Sequence, residues 1–108
     1  MVSREQAREL ALSLAEAVEQ DHHGRPSFRV ATTKIFATLW DEDHMNVMLD
    51  EGGIRTAIHR DPKTFEEVWW GKKLTAVRVD LRRVEAETLR ELLEEAWELR
   101  APKRLLGG

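Results

Sequence analysis

Two short stretches of this 108-residue chain hold residue types that could do chemistry. Asp21-His22-His23 sets two imidazoles beside a carboxylate, and neutral imidazole is a common ligand for zinc, copper or nickel. Adjacent residues seldom coordinate one ion together, and the spacing offers neither an i, i+4 histidine pair nor a third ligand, so a solvated linker is expected. Asp41-Glu42-Asp43 gathers three acids in a turn but lacks the spacing and the glycine of a calcium loop. Serine, threonine, histidine and acids occur along the chain, yet no spacing pairs a nucleophile with its base, and there is no glycine-rich phosphate loop. Cysteine is absent, which excludes disulfides, thiolate nucleophiles and Cys-ligated zinc. A non-enzymatic protein with no catalytic residues, no metal and no cofactor is the expectation.

What remains is charge beside aromatic rings. The net charge of -3 conceals an uneven distribution. From His22 to Trp40 there are Arg25, Arg29 and Lys34 and no acid; from Val68 to Val84 there are Lys72, Lys73, Arg78, Arg82 and Arg83 against Asp80 alone. The two long helical segments are acidic. Basic groups interleaved with Phe36, Trp40 and Trp70 are what a phosphate backbone plus a stacking surface needs. The expected nucleic-acid-binding set is Arg25, Arg29, Lys34, Lys72, Lys73 and Arg78, with double-stranded DNA as the partner. The bland reading is that solvated lysines keep sheet edges from self-pairing. Trp40, Trp69 and Trp70 are the expected anchors of the alternative, a protein-interaction module that forms a homodimer or holds a partner as a chaperone does, because tryptophan is enriched at interaction hot spots.

The elements that must position these residues follow from periodicity. Gly24 to Trp40 reads as two strands, Ser27 to Val30 and Ile35 to Trp40, with the alternation placing Ile35, Ala37 and Leu39 opposite Phe36, Thr38 and Trp40. The turn Ala31 to Lys34 has no Gly, Asn or Asp, which favours a longer loop. Ser3 and Gln6 form a capping box that opens a helix, and Ala7, Leu10, Ala11, Leu14, Ala15 and Val18 continue its apolar stripe to Glu19. His44 to Leu49 is a third strand. Asp50 caps a short helix that stops before Asp61-Pro62. Leu74 to Leu81 alternates cleanly, and Glu67 to Trp70 could pair with it, at most one of Trp69 and Trp70 entering the core face. Glu85 to Arg100 is the final amphipathic helix. The order α-β-β-β-α-β(-β)-α suits a two-layer α+β domain, an antiparallel sheet of four to five strands with helices on one face.

A chain of this length is expected to form a single domain over 1–108, burying roughly two-thirds of the surface its unfolded form exposes. No run approaches the roughly 20 apolar residues of a membrane span, and the first residues lack an apolar signal segment, so a cytoplasmic location is expected.

Gly24-Arg25-Pro26-Ser27-Phe28-Arg29-Val30, Lys34-Ile35-Phe36-Ala37-Thr38-Leu39, Trp70-Gly71-Lys72 and Leu92-Leu93-Glu94-Glu95-Ala96-Trp97, with Ala101-Pro102-Lys103, resemble the MmcQ/YjbR family of small bacterial proteins. The resemblance covers nearly the whole chain. It implies a fold likened to frataxin (CyaY-like) and to secretion chaperones, a DNA-binding role, and no catalytic residues. The frataxin likeness also brings a weak iron-binding idea, through Glu16, Glu19 and Asp21. The chain departs from the family where Thr32-Thr33 replaces turn glycines and Glu67-Val68-Trp69 replaces a proline-rich approach to the tryptophan.

Overall fold

The computed structural model describes residues 1–31 and 34–107. Three helices and six strands follow in the order α1 (Arg4–Leu12), β1 (Ala17–His22), β2 (Arg25–Val30), β3 (Lys34–Asp41), β4 (His44–Met48), α2 (Glu51–Arg60), β5 (Phe65–Trp70), β6 (Lys73–Asp80) and α3 (Ala86–Arg100). The strands make one antiparallel sheet in the order β1-β2-β3-β4-β6-β5. The helices pack on one face of it, and their apolar stripes (Ala7 and Ala11, Ile54 and Ala57, Leu89, Leu93 and Ala96) meet Phe28, Phe36, Leu39, Met45, Val47, Val77 and Val79 in one core. Among the described residues no helix is long and apolar enough to cross a membrane.

The sheet has one strand more than the sequence suggests, and the extra strand comes out of the expected first helix. The helix was expected to run to Glu19 but stops at Leu12. Ser13 turns its hydroxyl onto the Leu10 carbonyl at 2.7 Å, the local competition by which serine weakens a helix from inside, and Glu16 takes a left-handed φ of 54°. Ala17–His22 then pairs residue for residue with β2, from Ala17 opposite Val30 to His22 opposite Arg25. Tertiary partners decide the matter: the Trp97 indole N–H donates to the Ala15 carbonyl at 2.8 Å, and Arg8 reaches Glu19 at 2.5 Å. His23-Gly24, expected as linker, is the two-residue turn of this hairpin. Both residues have positive φ, 55° and 83°, the I′ geometry that suits strand twist and favours glycine at its second position. The expected loop at Thr32-Thr33 lies outside the described residues, as does Gly108.

The rest follows local signals. Asp50 accepts the Gly53 N–H at 2.8 Å and opens α2, which ends at Arg60 just before Asp61-Pro62. Gly53 is there for a close approach: a Cβ at that position would lie 2.5 Å from Glu95 Oε2 on α3. Partial burial, then the neighbouring charges of Asp50 and Glu98, raise the Glu95 carboxyl above its ordinary 4.5. A raised acid disfavours the folded state wherever it is ionised. Glu95→Gln is therefore expected to stabilise the protein at pH 7 by less than about 1 kcal/mol, since water screens this exposed group, and to lose that advantage as the pH falls toward 4.5, as denaturant melts at both pH values would show.

Candidate binding face

Strand β3 carries two bulges, and they decide what faces away from the helices. Phe28 pairs with Ala37 and Arg29 with Ile35, so Phe36 is an extra residue. Simple alternation would put Phe36 beside Thr38 and Trp40; the bulge instead turns it into the core, fully buried, and turns Ile35 out. Phe36 is thus withdrawn from the expected stacking surface. Farther along, Leu39 pairs with Met45 and Asp41 with His44, leaving Trp40 as the second extra residue. Its backbone carbonyl accepts a hydrogen bond from Arg25 Nε at 2.9 Å.

The helix-free face is built in rows. Ile35, Met48, Ala76 and Val68 form a small apolar cluster separate from the main core. Next to it the registers align Gln20, Ser27, Thr38, Asn46, Arg78 and Glu66 across the sheet. Ser27, Thr38 and Asn46 are buried although no helix covers them. Long side chains lie over them: Arg29 Nε reaches Ser27 Oγ at 3.4 Å and Arg78 Nε donates to Asn46 Oδ1 at 3.0 Å. The third row holds His22, Arg25 and Trp40.

These rows enclose a hollow of about 300 Å³ lined by residues from both edges of the sheet, His22 and His23 from the β1–β2 hairpin and Trp69 and Trp70 from β5. Strand twist curls the sheet enough to bring them to one concavity. At its wall stands Trp40. The Arg25 guanidinium carbon lies 3.9 Å from its ring centre and that of Arg78 lies 4.4 Å from it. Trp69 and Trp70 are 47% and 59% exposed, so neither enters the core, where at most one was expected. A bulge at Thr75 of β6, between the Val68–Ala76 and Trp69–Leu74 pairs, interrupts the pattern there.

The six cations of the expected nucleic-acid set divide. Arg25, Arg29 and Arg78 share the hollowed face. Lys72 and Lys73 sit at the β5–β6 turn and line a different hollow with Leu49, Asp50, Glu51, Leu99 and Arg100, which Trp69 also borders. Exposed Lys34 opens β3 opposite core Val30. Of the six, Arg78 alone is ion-paired among the described residues, with Glu66 at 3.6 Å. All three tryptophans named as anchors border one hollow. Sequence reasoning did not find Ile35, Thr38, Asn46, Met48 or Val68 as its lining; Asn46, polar between Met45 and Val47, was the one signal that an outward face existed there.

The metal readings find no cluster. Among the described residues no group of three or more His, Asp or Glu is placed to hold an ion. Glu16 is held by Arg104 at 2.6 Å, Glu19 by Arg8, and Asp21 accepts the Gly24 N–H at 3.3 Å. His22 and His23 stack edge to face, 4.5 Å between ring centres. In the acidic turn Asp41 accepts from the Asp43 N–H at 2.8 Å and hydrogen-bonds His44 Nδ1 at 2.9 Å.

A two-layer α+β domain with one hollowed sheet face is therefore the class of protein this fold defines. The chain is similar to the crystal structure of Deinococcus radiodurans protein DR2400, a DUF419 domain, with a TM-score of 0.77 and 20% identity over 92% of this chain and 78% of that one, a likeness of fold. The YjbR family model matches residues 12–99, and the protein belongs to that family. No curated protein matches the chain.

Proposed function

We propose that this protein is a non-enzymatic interaction module that holds a segment of a protein partner in the hollow of its helix-free face. The observation that carries it is the second apolar cluster on that face, buried Met48, Val68 and Ala76 with partly buried Ile35, from which Ile35, Met48 and Val68 line the hollow beside Trp40 and the exposed Trp69 and Trp70. Solvent-accessible tryptophans around an apolar floor are the anatomy of a binding hot spot. A random peptide library selected against the protein tests it. Enriched peptides should shift the amide resonances of β3, β4 and β6 and lose about tenfold or more in affinity on Trp40→Ala, a hot-spot loss; peptides that map to the helices instead would remove the proposal. Sedimentation over a concentration range separates a second copy of the chain as occupant.

One observation favours duplex DNA as a second reading: Arg25, Arg29, Lys34, Lys72 and Lys73 make no ion pair among the described residues, so their charge is not neutralised by neighbouring acids. Against it stands their separation: Arg25 lines one hollow, Lys72 and Lys73 line another, and Arg29 and Lys34 line neither. Labelled duplex titrated at low and moderate salt decides, because each neutralised phosphate steepens the salt dependence. Absent or salt-insensitive binding removes this reading.

A further inference from the structure

We infer that the segment bound in the hollow is acidic and apolar in alternation: an extended stretch of a partner protein carrying a carboxylate two residues from an aromatic or aliphatic side chain, an identification that rests on the interaction role proposed above. The charge of the site asks for an anion. Between His22 and Trp40 the chain has no acid, and Arg25 and Arg78 converge on a single indole. Each guanidinium is held through Nε, Arg25 on the Trp40 carbonyl at 2.9 Å and Arg78 on Asn46 Oδ1 at 3.0 Å, and each is stacked on the ring. That leaves their Nη groups directed by a fixed plane, the arrangement in which arginine recognises a carboxylate with little ordering left to do.

The geometry of the sheet sets the spacing. Arg78 and Ala76 are two residues apart on β6 and face the same side, so Arg78 springs from one two-residue step away from the apolar floor of Ile35, Met48 and Val68, and Arg25 from one row farther. An extended peptide repeats its side chains at that same step. One residue then meets Arg78 while its next same-side neighbour meets the floor, and Trp69 and Trp70 extend the contact beyond what a small molecule would cover. A DNA duplex, its bases paired inside, would satisfy the cations but leave the floor without a match. Two carboxylates stand beside lining residues: Glu67 accepts the Trp69 indole N–H at 3.1 Å and pairs with Arg55, while Glu66, 3.6 Å from Arg78 and 67% exposed, is a solvated competitor that a ligand acid displaces.

Fluorescence anisotropy with four labelled peptides of equal length tests this: alternating Phe and Glu, alternating Phe and Gln, alternating Ser and Glu, and alternating Phe and Lys. The Phe/Glu peptide should bind, weaken with added salt, and lose about tenfold in affinity on Arg25→Gln or Arg78→Gln, the scale of one charge-assisted hydrogen bond. Glu66→Gln, a change at an exposed side chain that leaves the fold intact, should tighten it about twofold by removing the competitor, the scale of a solvated ion pair. If the Phe/Gln peptide binds as tightly as Phe/Glu, or if Glu66→Gln has no effect or weakens binding, the acidic preference is overturned while the interaction role stands. If no peptide binds and the amide resonances of the face stay fixed, both are overturned. The same holds if duplex DNA alone binds there in an Arg25-dependent way.

Discussion

Phe36→Ala is expected to destabilise the protein by about 3 to 5 kcal/mol, the cost of truncating a fully buried phenylalanine that leaves a cavity behind. Phe36 has no exposed surface and sits among Phe28, Leu39 and Met45 beneath the helices. Ile35→Ala should cost clearly less, because Ile35 is half-buried at the hollow and packs on the small outer cluster. Urea unfolding followed by circular dichroism gives both values, with an unchanged m marking a change of stability alone. Plain alternation along β3 predicts the reverse ranking. A larger loss at Ile35 than at Phe36 would mean that the bulge opposite Phe28 and Arg29 is absent and the face has been assigned backwards.

That contrast also marks what the sequence could and could not reveal. Elements with a local signature were legible: Asp50 and Asp61-Pro62 bracket α2, and the clean alternation from Leu74 onward gives β6. The α+β class follows from these. Strand β1 was hidden because Leu14, Ala15 and Val18 fall at helical spacing, and only pairing with β2 and the contacts of Trp97 and Arg8 make Ala17–His22 extended. Long-range partners of this kind leave no periodic trace. The bulges were equally silent, since each is a mismatch between two strands and not a property of either. They are what carry Ile35 to the outer face and leave Trp40 as an extra residue whose carbonyl takes the Arg25 hydrogen bond. Charge segregation was readable as composition, but whether six cations form one surface depends on strand order. Insertion of β6 between β4 and β5 puts Arg78 on the hollowed face while Lys72 and Lys73 border another.

Asp80→Asn is expected to cost about 1 to 2 kcal/mol at pH 7, toward the lower part of the range for hydrogen bonds to a charged group because its arginine partners are solvated. Asp80 ends β6 and is 9% exposed. Its carboxylate accepts the Arg82 backbone N–H at 3.0 Å and Arg82 Nε at 3.1 Å, and lies 3.8 Å from Arg83 Nε, while its own carbonyl takes the N–H groups of Arg83 and Val84. The turn that aims α3 at the sheet is built on this one residue. The Arg82 hydrogen bond is the chief reason its carboxyl is held below the ordinary 3.8, against the opposing effect of burial. A lowered folded-state value means that the stabilisation is complete above about pH 4 to 5 and is lost as the pH falls through the folded-state value, where the native carboxylate takes up its proton. The gap in stability between the native protein and Asp80→Asn should therefore be constant from pH 7 down to about 5 and close below pH 4, since asparagine has no proton to gain. Urea midpoints for the two proteins across that range measure it. A gap that persists undiminished at pH 2 would place the effect in shape or in the neutral hydrogen bonds of the turn, and the charge of Asp80 would then have no part in holding α3.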